Sequence, residues 1–270
     1  MNLVRSELLK IRTTSTWWWL AIGALLSIAM AFAFNAWVAD ETLSGNGENL
    51  GMTGDQATAP AQAANLYTSG QYLGLMFVML IGILMVTNEF FHQTATTTFL
   101  STPRRTSVIL SKLVAASVLG FGFWLATTVI DLIAGATFLS LNDHGTLLDE
   151  WAVQRALLLN LLAYAIWTVL GVGIGTLITN QLGAVITSAV LYLVGTQVVG
   201  LLFMLLANVL DNEAVVKWQV IWPAVASTVM VSEGQTDFTP EWWVGALVLI
   251  GYAVVSGVVG IMITRRRDVS

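Results

Sequence analysis

The sequence contains no cysteine, which excludes disulfides, thiolate nucleophiles and thiolate metal sites. Its two histidines are too few for a histidine-based metal centre, although carboxylates remain available to a hard cation. Charge is scarce: 10 % of the 270 residues are Asp, Glu, Lys or Arg, against roughly 25 % in a soluble domain. No G-x-x-x-x-G-K-[ST] segment is present, so the chain has no P-loop of its own, and H-E-x-x-H and G-x-S-x-G are absent too. No paired nucleophile and base stands out, and no metal cluster. The chain is expected to be no enzyme, with no catalytic, cofactor-binding or metal-binding residues. A cleaved signal peptide is not expected, for want of a small-x-small cleavage site. Any active process must draw its energy from elsewhere.

Apolar residues dominate instead. They make up 56 % of the chain, the mean hydropathy is +0.77, and long uncharged runs recur. This is the composition of an integral membrane protein. Six runs are long enough to cross a hydrocarbon core of roughly 30 Å: about residues 17–38, 71–88, 113–139, 151–178, 182–207 and 242–263. The third helix is expected to begin earlier, near Pro103, capped by Thr102. Trp17, Trp18 and Trp19 form an aromatic belt at the start of the first span.

The net charge of -5 hides a segregation of sign. Arg5, Lys10, Arg12, Arg104, Arg105, Lys112 and Arg265 to Arg267 all fall on one side of a six-span map, and most acidic residues fall on the other. The positive-inside rule then places residues 1–16, 89–112, 179–181 and 264–270 in the cytoplasm. A seven-span version would send the C-terminal arginines outside.

Val4, Leu8 and Ile11 share one face of a helix, so residues 1–16 read as a basic amphipathic helix lying in the membrane interface. The stretch 40–66 reads as an outer loop rich in Gly, Asn, Thr and Ala. Residues 208–241 hold an apolar middle, 215–231, interrupted by Pro223. That middle suits a re-entrant helical hairpin better than a full span. Gly171, Gly173 and Gly175 lie within a span and read as a packing or bending feature. The fold expected is an all-α membrane protein of six spans in a single domain, 1–270.

Residues 89–112 read E-F-F-H-Q-T-A-T-T-T-F-L-S-T-P-R-R-T-S-V-I-L-S-K. This polar stretch joins two apolar runs. Glu89, His92, Arg104, Arg105 and Lys112 offer charge-assisted contacts to a soluble partner. A short coupling helix over about 92–100 would pass that partner's motion to two spans. Its threonines are weak helix formers, so packing would have to hold it. Asp131 is the one acidic residue deep in a span, and burying it unpaired is costly. It could line a pathway, bind a cationic substrate or hydrogen-bond to a neighbouring helix. Asn160 and Gln197 are softer candidates for the same roles, as path-lining or helix-joining groups.

The segment from Glu89 to Lys112 resembles the cytoplasmic loop of bacterial ABC-2 type transporter permeases. Glu89, His92, Thr94, Thr102, Pro103, Arg105 and Lys112 stand where that pattern expects them, and Gln93 stands where glycine is usual. The opening S-E-L-L-K-I-R-T-T-S-T-W-W and the closing R-R-R-D-V look like that family's ends. The resemblance implies a permease subunit of an ATP-driven exporter in the inner (cytoplasmic) membrane, both termini inside. It implies pairing with a second copy or a sister permease and with two separate ATPase subunits. ATP and Mg would bind those subunits and not this chain. Its partners would otherwise be membrane lipids, with no nucleic acid, and its cargo a hydrophobic, lipid-like, peptide or drug-like substrate. Glu89, His92, Thr94, Pro103, Arg104, Arg105 and Lys112 would then couple to the ATPase. The alternatives are a proton-coupled secondary transporter leaning on Asp131 and a membrane scaffold without transport activity.

Overall fold

The computed structural model describes residues 2–13, 16–52, 54–94, 98, 105–232 and 239–266. The chain runs α1 (Asn2–Thr13), α2 (Thr16–Glu41), α3 (Ala59–Tyr67), α4 (Gln71–Phe91), α5 (Arg105–Leu141), α6 (Trp151–Leu177), α7 (Gln181–Val190), α8 (Thr196–Leu210), α9 (Pro223–Val231) and α10 (Trp242–Arg266). A π-helical turn, Leu191–Gly195, joins α7 to α8, and a 3-10 helix, Glu213–Ile221, precedes α9. Among the described residues there is no strand, and six helical stretches are long and apolar enough to cross a membrane. They are Trp18–Leu50, Ala59–Phe91, Thr106–Leu141, Trp151–Leu177, Gln181–Leu210 and Trp242–Thr264. Helices satisfy their own backbone within the segment, which is why apolar runs of this length take no other form in lipid.

The stretch 40–66 is not a loop throughout. Its second half folds as α3, with Thr58 Oγ1 accepting from the Ala61 N–H at 3.4 Å and Pro60 in the first turn. Ala61, Ala63, Ala64, Leu66 and Tyr67 are buried, so α3 lengthens the second span outward across a break at Thr68–Gly70. Thr-x-Pro is a helix start, but nine residues of which four are alanine carry too weak a periodicity to stand out.

The 3-10 helix Glu213–Ile221 and α9 meet at 103°. The bend is at Trp222, whose extended backbone lets Pro223 begin α9 without losing a needed N–H. Trp222 packs against Gly195, halfway along the fifth span.

The second span is the hub: 78 % of its most apolar window is buried, against 6 % for the fifth. It runs parallel to α6 at a distance only glycine allows. A Cβ on Gly171 would lie 2.1 Å from the Met79 carbonyl oxygen, and one on Gly82 would lie 2.4 Å from that of Thr168. Gly175 meets Ile83 in the same way, and Gly173 faces Ser256 of α10. The glycine run is therefore the packing feature its place in a span indicates, with α4 on one side and α10 on the other. At the end far from α1, Tyr67 donates to the Thr146 carbonyl at 2.6 Å. There too, the Arg155 guanidinium lies 5.5 Å from the centre of the Trp242 ring.

Because the clash at Gly171 is with backbone, no side chain can yield to relieve it. Gly171→Ala should cost at least about 1–3 kcal/mol. Gly122→Ala, where a Cβ meets nothing within 4 Å, should be neutral. Thermal unfolding of the two purified variants in one detergent checks this, and equal midpoints would refute the close crossing.

Candidate functional site: a buried ion quartet under a capped helix end

The α1 end of the bundle is built from three helices. Val4, Leu8 and Ile11 of α1 pack on a cluster that includes Met85 and Val86 of α4 and Ala115 and Ala116 of α5. The three residues that the spacing puts on one face of α1 thus meet protein. Glu7 stands at the one remaining position on that 4-7-8-11 stripe. An acid on an apolar stripe is a readable signal, and it is the signal that points to what lies beneath.

Glu7, Glu89 and Lys112 are 4 %, 6 % and 2 % exposed. The Lys112 ammonium donates to Glu7 Oε2 at 2.6 Å, to Glu89 Oε1 at 3.0 Å and to the Met85 carbonyl at 3.0 Å. All three of its protons are thus used. Lys10, half exposed above, bridges the two acids, at 2.7 Å from Glu7 Oε1 and 2.6 Å from Glu89 Oε1. Two carboxylates and two ammonium groups balance in charge, and each Glu7 oxygen has its own donor. Burial pulls the Lys10 pKa down, but hydrogen bonds and charge from Glu7 and Glu89 more than offset this and raise it. Its contribution to stability is therefore complete below the ordinary lysine value and fades only as pH climbs past the raised one.

Glu89 also sits at the end of α4, and the residues after it form a C-cap. The Thr94 N–H donates to the Glu89 carbonyl at 2.8 Å and the Gln93 N–H to the Phe90 carbonyl at 3.2 Å. Gln93 has φ +56°. This is a Schellman cap, whose left-handed position favours glycine. The spacing Glu89, His92, Gln93, Thr94 therefore has a local physical meaning: helix end, left-handed residue, and a threonine whose N–H closes the turn. Thr98 Oγ1 lies 3.4 Å from Glu89 Oε1. A cavity of about 230 Å³ opens beside the quartet, lined by Glu7, Lys10, Asn88, Glu89, His92 and Thr94 among others.

Sequence reasoning put Glu89, His92, Arg104, Arg105 and Lys112 on one surface. His92 and Thr94 are exposed, and His92 meets the Phe91 ring edge-on with centroids 5.0 Å apart. Glu89 and Lys112 are not on a surface: both are buried, and each pairs with the other and with Glu7 or Lys10. Arg105 opens α5. Pro103 and Arg104 lie outside the described residues, as do 95–97, 99 and 100 of the expected coupling helix. Glu7 and Lys10 were missed as site residues because the partners that bury them, Lys112 and Glu89, lie 105 and 79 residues away in the chain.

A second buried polar layer lies at the break in the second span. Asp131, 2 % exposed, accepts from the Gly70 N–H through Oδ2 at 3.2 Å. It thereby caps the N-terminus of α4 from a neighbouring helix. Tyr164 OH reaches the Gly70 carbonyl at 3.4 Å and receives Thr127 Oγ1 at 3.4 Å. Asn160 is also buried, and its Oδ1, like Asp131 Oδ1, has no hydrogen-bond partner among the described residues. Gln197 is exposed on α8 and joins no helix among the described residues.

No protein-family model matches this chain, and no curated protein matches it.

Removing one member of the quartet leaves a buried charge uncompensated. Lys112→Met should destabilise the fold by about 3–5 kcal/mol, and Lys112→Met combined with Glu7→Gln should recover part of that loss. Unfolding midpoints in detergent read both, and a loss under about 1 kcal/mol would mean the quartet is solvated. Asp131→Asn keeps an acceptor for Gly70, whereas Asp131→Ala strands that N–H. The alanine variant should be the less stable by about 1–3 kcal/mol, and an equal loss of stability in both variants would show that charge rather than capping is the role of Asp131.

Proposed function

We propose that this chain is the transmembrane permease subunit of an ATP-driven exporter. It works with a second permease and two separate ATPase subunits, and moves a hydrophobic, lipid-like, peptide or drug-like substrate. One observation carries the reading. The quartet ties α1 and the adjoining ends of the second and third spans into one body, and two of its members, Glu89 and Lys112, are the two ends of the stretch that resembles an ABC-2 coupling loop. A force applied to residues 94–104 would therefore reach two spans and the N-terminal helix together, without first bending any of them. Two further features support it: six apolar helices, and a 103° bent pair suited to a re-entrant hairpin between the fifth and sixth spans.

In this reading the residues divide their work. Glu89, Lys112, Glu7 and Lys10 hold the three helices in register and are positioning residues. Thr94 closes the α4 cap. His92, Pro103, Arg104 and Arg105 belong to the contact with the ATPase, which supplies ATP and Mg chemistry. Both termini and the 89–112 stretch face the cytoplasm.

The test is co-purification from the native membrane, followed by reconstitution with the ATPase recovered. Arg105→Ala should insert normally and keep its unfolding midpoint, yet lose about tenfold or more in ATPase association. Glu89→Gln should lower the midpoint as well as uncouple hydrolysis from transport. Absence of any co-purifying ATPase would overturn the reading, as would normal association, hydrolysis and transport in both variants.

A further inference from the structure

A second cavity, of about 320 Å³, lies away from the quartet, among α4, α6, α7, α10 and the bend at Trp222. Its floor is Met79, Trp167 and Tyr192, all buried; Leu177, Leu191 and Tyr252 stand exposed at its mouth. The mouth opens on the surface of apolar spans, so what reaches it comes sideways from the bilayer.

The chemistry of the lining restricts the occupant. The polar tips of Trp167, Tyr192 and Trp222 are already committed inside the protein. The Trp167 indole N–H donates to Ser227 Oγ at 2.6 Å, Tyr192 OH donates to the Tyr72 carbonyl at 2.5 Å, and the Trp222 N–H donates to Thr196 Oγ1 at 3.0 Å. What these residues turn toward the groove is ring face and edge. Among the described residues no charged one lines it, and Thr187, Ser188 and Tyr252 supply its other hydroxyls. A ligand that brought charges or many hydrogen-bonding groups would leave them unmatched.

Length narrows the choice further. The groove follows α6 from Trp167 to Ile178, eleven residues and so about 16 Å of helix. Half of a hydrocarbon core is about 15 Å. It starts at the α1 end, where the short α6–α7 connection lies, and stops at mid-depth. There Trp222 closes it by packing on Gly195, where a Cβ would come within 2.8 Å of the indole. The π-helical turn Leu191–Gly195 forms the wall opposite α6. The volume is at the lower end of the roughly 300–1,000 Å³ range of ligand pockets, too small for a whole two-chain lipid.

We propose that this groove is a lipid site that takes one acyl chain of a membrane lipid from the leaflet on the α1 side. The aliphatic tail lies against Met79, Trp167 and Tyr192, its end stops at Trp222, and its headgroup stays at the level of Ile178. The proposal needs no ATPase or ATP, so it stands or falls apart from the export reading.

The probe is a phosphatidylethanolamine carrying a diazirine midway along one acyl chain, reconstituted with the full-length protein in vesicles and photolysed. Cross-links should concentrate on Met79, Trp167, Leu191 and Tyr252, above the level on Met30 and Phe34, which are exposed on α2. Thr187→Trp and Leu191→Trp place bulk at the mouth on already exposed positions. Each should cut the groove cross-links about tenfold while leaving those on α2 unchanged. Native mass spectrometry of the wild-type protein after detergent washing should retain one lipid, and lose it in either variant. Three results would overturn the proposal: equal labelling of groove and α2, labelling indifferent to both tryptophans, or a groove protected from labelling by a protein.

Discussion

A buried charge in a low-dielectric bundle must be answered by another charge, and at the α1 end of this protein Lys112 sets that requirement. Its ammonium is 2 % exposed and donates to two carboxylates and a carbonyl. Glu7 comes from α1 and Glu89 from the end of α4, so meeting the requirement brings three helices together. The packing of Val4, Leu8 and Ile11 then follows, because the helix that carries Glu7 can lie only one way up. The capped turn at Gln93 follows too, since the same residue that closes the ion pair also anchors the end of α4. Replacing such a quartet by apolar residues need not weaken a fold. Its value here lies in register: it fixes which turn of α1 meets which turn of α4 and α5.

The second constraint is the backbone itself. Lipid offers no partner to a free N–H, and the second span is broken at Thr68–Gly70. Asp131 and Tyr164 answer that break from α5 and α6. The carboxylate that the sequence presents as an anomaly in an apolar span is thus bonded to a gap in another helix. A few residues further along, the glycines of α4 and α6 bring backbone against backbone, and the bundle tightens around its most buried span. The periphery is the reverse. The fifth span packs on α4 through α7 and on the 3-10 helix Glu213–Ile221 through α8, and it leaves a groove between itself and α6.

Six long apolar helices, the shared face of Val4, Leu8 and Ile11 and the packing role of the glycine run were legible in the chain. Each depends on neighbours in sequence: a run of apolar residues, a spacing of three and four, a proline at a bend. A helix in lipid satisfies its backbone locally, so local composition is enough to determine it. The E-F-F-H-Q-T spacing was legible as a motif, but its local meaning, a C-cap with Gln93 in a left-handed turn, needed backbone geometry.

What the tertiary structure alone decided is which distant groups meet. Glu89 and Lys112 read as surface charges because their own stretch is polar, and the folded chain buries them against Glu7 and Lys10. The nine residues of α3 read as loop because their apolar periodicity is slight, and they became helix by packing between α5 and α6. Asp131 receives the N–H of Gly70, sixty-one residues away, a partner that no local pattern marks. In each case the free energy comes from desolvation and pairing across helices, terms that depend on distance in space, and a single sequence carries no direct record of that distance.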